Sequence, residues 1–283
     1  MTTTHASELA AGERFAFGAN WASFLKRLDD ARIAEAERSL VQMLGDVDLR
    51  GRTVLDIGSG SGLFSLAARR LGATVTSFDY DPQSVACTAE LKRRYFPDDA
   101  TWTVLQGSVL DVSWLAGLGR FDLVYSWGVL HHTGAMWQAL DNAIARVAPG
   151  GRLFIALYND QGRMSKVWWR IKRAYCACPR LLRWTILLPC FVRLWGPSMV
   201  RDLLILRPFR TWRTYAARRG MSPWHDVIDW VGGFPFEVSR PEEILDWGRR
   251  HGFVLDRMTT AGGALGCNQF VLGDRRPPAP GIG

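Results

Sequence analysis

Apolar positions in the first half of the chain follow two alternating rhythms. RTVLDIG (52–58), ATVTSFDYD (73–81), TWTVLQGS (101–108), FDLVYSWGVL (121–130) and GRLFIALYND (151–160) are apolar at most positions and read as strands. Helical patterns lie between them. In GLFSLAARRLG (62–72), Leu63, Phe64, Ala67 and Leu71 recur at helical spacing, and Gly72 sits where a C-cap would. Pro82 suits the first turn of a helix through Tyr95, and MWQALDNAIARVAPGG (136–151) reads as an amphipathic helix closed by Pro-Gly-Gly. Near-continuous apolar strands separated by single helices predict an α/β fold, a doubly wound parallel sheet covered on both faces. Ligands of such sheets sit outside the carboxyl ends of the strands, near the switch in strand order. Asp56, Asp79, Ser108, Ser126 and Tyr158 all fall near that rim.

The flanks complete the division. Residues 1–50 form an N-terminal helical extension, with NWASFLKRLDDARIAEAERSLVQML (20–44) as one long amphipathic helix or two. The α/β core runs over 51–161. The alternation stops after Asn159, and 162–235 reads as a helical cap inserted after the fifth strand. A helix at PEEILDWGRRHG and two strands, FVLDRMTT and GCNQFVLG, complete the core over 236–273, and 274–283 is expected to be a flexible tail. The start of the chain lacks a basic region followed by an apolar one, so no secretory signal is expected and a cytoplasmic setting is. Five cysteines without zinc or disulfide spacing read as buried or idle thiols.

Charge sharpens the picture of the cap. The net charge is +8, yet between Arg163 and Gly220 fourteen Lys or Arg face one acid, Asp202, so the rest of the chain is net acidic. MSKVWWRIKRAYCACPRLLRWTILLPCFVRLW (164–195) interleaves Trp, Leu and Arg. Three readings compete: a lid that shapes a substrate pocket and could also mediate a homodimer, a membrane-surface element, or a nucleic-acid contact. The lid is favoured, and a positive lining would suit an acidic or phosphorylated substrate. Nucleic acid ranks last because no recognised RNA-binding module is present. The apolar stretch WTILLPCFV (184–192), bounded by arginines and broken by Pro189, is far short of the about 20 residues a span needs.

The candidate chemistry centres on VLDIGSGSGLF (54–64). The dinucleotide fingerprint is G-x-G-x-x-G, but here Gly62 follows Gly60 one residue early. Asp56 precedes the loop and would repel a pyrophosphate. A carboxylate there suits a ligand with an ammonium and a sulfonium, as in S-adenosylmethionine. Asp79 closes the second strand, where an acid can accept both ribose hydroxyls; Tyr80 could lie against an adenine, and Ser108 with Val109 could meet the base edge. Phe17 or Trp21 could close over the cofactor.

VLDIGSGSGLFSLAA, FDYD, QGSVLD, FDLVYSWGVLHHTG and PGGRLFIALYND, in this order, resemble the successive motifs of the class I S-adenosylmethionine-dependent methyltransferases, closest to the small-molecule branch with a Leu-His-His element after the fourth strand. The likeness covers roughly residues 50 to 160. It implies a seven-stranded Rossmann-like sheet with its last strand antiparallel. The implied cofactor contacts are Asp56, Gly58, Gly60, Gly62 and Asp79, with Ser59 and Ser126 beside them. One departure stands at Ser108, where the family often has an acid for the adenine amino group.

Methyl transfer needs a positioned nucleophile and, for many acceptors, a proton acceptor. His131 and His132 are the candidate bases, with Tyr158 and Asn159 as further acceptor contacts. His225 and Asp229 would share a helical face as base and orienter, or as a surface ion pair. No metal-ligand spacing is present. The expected function is methylation of a small-molecule acceptor at oxygen or nitrogen. The alternatives are a peripheral-membrane enzyme acting on a lipid or isoprenoid, at the inner membrane surface, and a non-catalytic cofactor-binding scaffold or regulator.

Overall fold

The computed structural model describes residues 4–26, 28–45, 48–219 and 223–276. Seven strands form one sheet: β1 Thr53–Ile57, β2 Thr74–Asp79, β3 Trp102–Gln106, β4 Phe121–Trp127, β5 Val147–Tyr158, β6 Phe253–Thr259 and β7 Cys267–Asp274. Their order is β3-β2-β1-β4-β5-β7-β6, parallel from β3 through β5, with β7 antiparallel to both of its neighbours. The order reverses between β1 and β4, which places the switch point beside the glycine loop.

Alternate residues of each strand serve opposite cores. Leu55 and Ile57 of β1, Val124 of β4, and Leu153, Ile155 and Leu157 of β5 face one core. That core is covered by α6 (Val112–Gly117), α7 (Met136–Ile144) and α12 (Pro241–Arg250). Val54, Tyr125, Phe154 and Val271 face the other core, under α3 (Asp30–Leu44), α4 (Leu63–Arg70) and α5 (Pro82–Tyr95). Double burial is why the strands show no polar alternation. Asp81 caps α5 by accepting from Gln83 N–H, with Pro82 in the first turn.

Two boundaries depart from the sequence pattern. The helix expected over 136–151 ends at Ile144, and Pro149-Gly150-Gly151 lies inside β5, where the register against β4 shifts between Phe121 and Leu123. A Cβ on Gly151 would sit 2.8 Å from Asp122 O, so that glycine serves a close backbone approach. The segment 20–44 resolves into α2 (Gly18–Leu25) and α3. A short helix α1 (His5–Ala10) precedes them, capped by Thr4.

The cap comprises α8 (Arg163–Ala177), α9 (Trp184–Leu204), α10 (Arg210–Arg219) and α11 (Pro223–Gly232). Pro189 does not break the apolar stretch: α9 runs through both Pro189 and Pro197. Each proline removes only one N–H from a ladder that packing on α11 supports. Trp168, Tyr175, Cys176, Leu187, Cys190, Trp195, Val227 and Val231 give the cap its own core, joined to the rim through Tyr158, Phe236 and Phe15. Among the described residues no helix is long and apolar enough to cross a membrane. No cluster of three or more His, Cys, Asp or Glu there could hold a metal ion.

Candidate active site

The loop after β1 needs glycine for two separate reasons. Gly58, Gly60 and Gly62 have φ of 76°, 55° and 80°, a region that side chains rarely adopt. A Cβ on Gly58 would also lie 2.4 Å from Val129 Cγ1, and one on Gly62 2.9 Å from the Thr88 backbone. The loop is therefore pressed between the β4 exit and α5. Asp79, at the end of β2, reaches across to it. Its carboxylate accepts Gly60 N–H at 2.9 Å and Asp81 N–H at 2.9 Å. Burial, seconded by Asp81, pushes its pKa up to about 6 against those hydrogen bonds.

The N-terminal extension closes this end of the rim. Trp21 lies against Gly60, whose added Cβ would be 3.0 Å from the indole. Gly18 N–H donates to Asp81 at 2.8 Å, tying α2 to the start of α5. Tyr80 donates to Glu8, and the Arg14 guanidinium stands 5.0 Å over its ring. Tyr80 is thus engaged by α1 and the turn after it.

Several expected cofactor contacts point elsewhere. Asp56 shares the Val54 face of β1, is 3% exposed and accepts from Ser65 Oγ, which also bonds Ser77 Oγ. Strand alternation sends it under α4, so it does not aim its charge out of the rim; burial raises its pKa to about 7. Ser59 bonds Thr88 at 2.9 Å, and Ser126 donates to Ile57 O at 3.0 Å, stitching β4 to β1. Both are buried structural hydroxyls. Ser108 accepts Leu110 N–H in its own turn, and Val109 is buried while its carbonyl accepts from Asn142.

The two histidines lie inside the protein. His131 is fully buried, its ring 3.9 Å from that of Tyr158, and its Nδ1 accepts Tyr158 N–H at 3.3 Å. That bond assigns the proton to Nε2, which has no partner. His132 Nδ1 lies 2.6 Å from Pro235 O, which assigns it as donor, and its ring packs on Phe17. Burial holds both imidazoles neutral: His131 falls well below its ordinary value, and His132 to about 3 with Lys172 as the next cause. Such weak acceptors are poor general bases, so the rim-exposed base expected at either position is not what the fold provides. The side chain of His225 lies outside the described residues. Asp229 accepts from Asn20 of α2, and burial raises its pKa.

One polar group escaped the sequence reading. Lys172 of α8 is fully buried, donates to Trp230 O, and lies 4.3 Å from the Trp230 ring centre, 4.7 Å from Phe236 and 5.7 Å from Tyr158. Burial lowers its pKa to about 7. The signal was there: Trp168, Lys172 and Tyr175 follow the spacing of one helix face. Trp230 Nε1 and Ser239 Oγ, in the same neighbourhood, join His131 Nε2 as buried polar atoms without a partner. Alongside, a cavity of about 660 Å³ opens between α8 and 236–238, lined by Asp160, Arg163, Lys166, Trp169, Arg170 and Phe236.

Sheet order, glycine loop and the acid ending β2 define the class: a Rossmann-like methyltransferase fold. A family profile described as a methyltransferase domain matches residues 28–189. The chain is 35% identical over 117 residues to a ubiquinone biosynthesis O-methyltransferase of Methylobacterium sp. (strain 4-46), a match covering 41% of this chain and 45% of that one. It is 32% identical over 132 residues to a ribosomal protein L11 methyltransferase of Xanthomonas axonopodis pv. citri (strain 306), covering 42% and 36%. The chain thus spans less than half the length of these curated relatives. An O-methyltransferase family protein from Burkholderia thailandensis superposes with a TM-score of 0.55 at 15% identity, over 99% of this chain and 65% of that one. A putative Haloferax volcanii methyltransferase, solved with its Trm112 activator, gives 0.54 at 15% identity, over 93% and 99%. These structural likenesses show the fold. The chain belongs to the methyltransferase domain family, of the class I, S-adenosylmethionine-dependent kind.

Proposed function

We propose that this chain transfers a methyl group from S-adenosylmethionine to an oxygen or nitrogen of a small-molecule acceptor seated where the rim meets the cap. The residues present fit an adenosyl group. Asp79 offers a carboxylate for a ribose diol, Gly58, Gly60 and Gly62 add no side chains of their own to the loop, and Trp21 covers Gly60. Bound there, the cofactor supplies an electrophilic methyl on a sulfonium. The chain's own task is positioning and exclusion of water. On this reading Asp79 exchanges its bond to Gly60 for the ribose hydroxyls, and the Tyr158, Trp230 and Phe236 rings wall the acceptor side.

The observation that carries the acceptor site is the gathering of unpartnered buried polar atoms around Tyr158, at the carboxyl end of β5. Buried polar atoms in folded proteins are nearly always paired, so a polar acceptor would complete this set. The cavity beside α8, with three cations on its wall, supports an acceptor carrying an acidic group. The test is calorimetric titration with S-adenosylhomocysteine, followed by release of that product with phenolic, amine and carboxylate acceptors. Absence of nucleoside binding would overturn the reading; binding without turnover on any acceptor would favour a scaffold.

A further inference from the structure

The outer face of the cap is apolar, exposed and uncovered by any described part of the chain. Along α9 and its flanks, Leu181, Trp184, Leu188, Val192, Leu203 and Leu206 are all more than half exposed, Leu181 and Leu206 reaching 86% and 87%. Another side of the same helix is buried in the cap core through Leu187 and Cys190. A helix anchored by one side that shows leucines on the other is built to meet an apolar surface.

The charges around the face decide what that surface is. Arg180, Arg193, Arg201, Arg207, Arg210 and Arg213 are exposed along the same segment. Its one acid, Asp202, is 2% exposed and accepts from the backbone N–H and hydroxyl of Thr211. The segment 180–213 therefore presents leucines and arginines with no exposed carboxylate. A second copy would set arginine against arginine without a counter-charge. A nucleic acid needs aromatic platforms along a basic groove, whereas leucine and valine outnumber the exposed aromatics Trp184 and Phe209 on this face. A bilayer with anionic headgroups supplies both complements: acyl chains for the leucines and phosphates for the guanidinium rim.

We infer that the α9 face of the cap docks peripherally on an anionic membrane surface. α9 lies in the interface plane, with Trp184, Leu188 and Val192, spaced four residues apart, entering at headgroup depth. The inference is independent of the methyl-transfer reading, because docking requires neither cofactor nor acceptor.

The test is co-sedimentation of the full chain with extruded vesicles of phosphatidylcholine alone and of phosphatidylcholine mixed with phosphatidylglycerol. The expected result is binding on the order of tenfold or more stronger to the anionic vesicles, weakened by salt. Leu188→Glu with Val192→Glu should reduce it on the order of tenfold or more while leaving the circular dichroism spectrum and melting temperature unchanged. Arg193→Glu with Arg207→Glu, which removes no apolar contact, should have the same effect and guards against misfolding of the first pair. Absence of binding to anionic vesicles would overturn the inference, as would binding by both variants as strong as that of the wild type. A dimer in vesicle-free solution that the Leu188→Glu, Val192→Glu pair dissolves would assign the face to a second copy instead. Binding to single-stranded RNA homopolymer that excludes vesicles would assign it to nucleic acid.

Discussion

Lys172→Met should stabilise the protein at acid and neutral pH and destabilise it at alkaline pH. The amine's pKa falls from 10.5 to about 7 because burial penalises its charge. At about 1.36 kcal/mol per pKa unit, keeping it protonated in the fold costs on the order of 5 kcal/mol. Methionine has a similar length and shape but no charge to desolvate, and such replacements of buried ionic groups are often stabilising. Against this, Trp230 O loses its donor, at about 1–3 kcal/mol, and the three rings lose their cation. The expected net gain at pH 6 is roughly 2 kcal/mol. Between pH 7 and 10.5 the unfolded chain holds the lysine proton that the folded chain has released, so wild-type stability rises with pH across that window. The advantage of the variant should therefore shrink from about pH 7 upward and change sign near pH 8–9. Urea unfolding of both proteins at pH 6, 8 and 9.5 measures this. A difference independent of pH, or a variant already weaker at pH 6, would refute the account of Lys172 as a buried, desolvated amine.

Further outcomes follow from the rim. Gly58→Ala and Gly150→Ala place alanine at similar φ, 76° and 72°, but only the first meets a neighbour, Val129, within 4 Å. Thermal unfolding should show about 1 kcal/mol lost at Gly150 and roughly 2–4 kcal/mol at Gly58, with nucleoside binding lost only in the latter; equal losses would remove the packing argument. Asp79→Asn should weaken S-adenosylhomocysteine binding on the order of tenfold or more by calorimetry. Wild-type affinity should fall as pH drops through about 6, where Asp79 takes up a proton. Because that pKa is raised on folding, protonation between about 6 and 3.8 adds to stability, so unfolding at this group does not explain the loss. An equally steep pH dependence in Asp79→Asn would assign it to another group. Trp21→Ala should lower nucleoside affinity several-fold without altering the circular dichroism spectrum, since the indole covers Gly60 from a surface helix.

Parallel strands leave a plain record in sequence because both faces are buried. That is why β1 to β5, the loop glycines and Asp79 could be located from residue type and spacing. The start of β5 was not legible. Pro149-Gly150-Gly151 has the composition of a helix stop, but Gly151 is required by Asp122 O on the adjacent strand, a contact between segments distant in sequence. The orientation of Asp56 was a matter of strand phase. Val54 and Leu55 are equally apolar, so nothing in the string says which face takes the acid until Ser65 is placed beneath it.

The burial of the histidines and of Lys172 was not legible in the sequence for a shared reason, and it changes the picture of charge in this chain. Residue type suggested a reactive imidazole at His131 and did not single out Lys172 from the other cations of the cap. Both pack on Tyr158, and Lys172 also on Trp230 and Phe236, partners distant in sequence that help remove them from water. Desolvation then drives both groups toward their neutral forms. Of the fourteen cations between Arg163 and Gly220, Lys172 thus belongs to the junction with the sheet, while Arg180, Arg193, Arg201, Arg207, Arg210 and Arg213 belong to the outer face. The cap's basicity is therefore not one feature: Arg163, Lys166 and Arg170 line the cavity beside α8, apart from both the inner amine and the outer arginines. The inner amine should respond to pH and to polar ligands under the cap. The outer arginines should respond to salt and to anionic surfaces, and substitutions at one should leave the other's response intact.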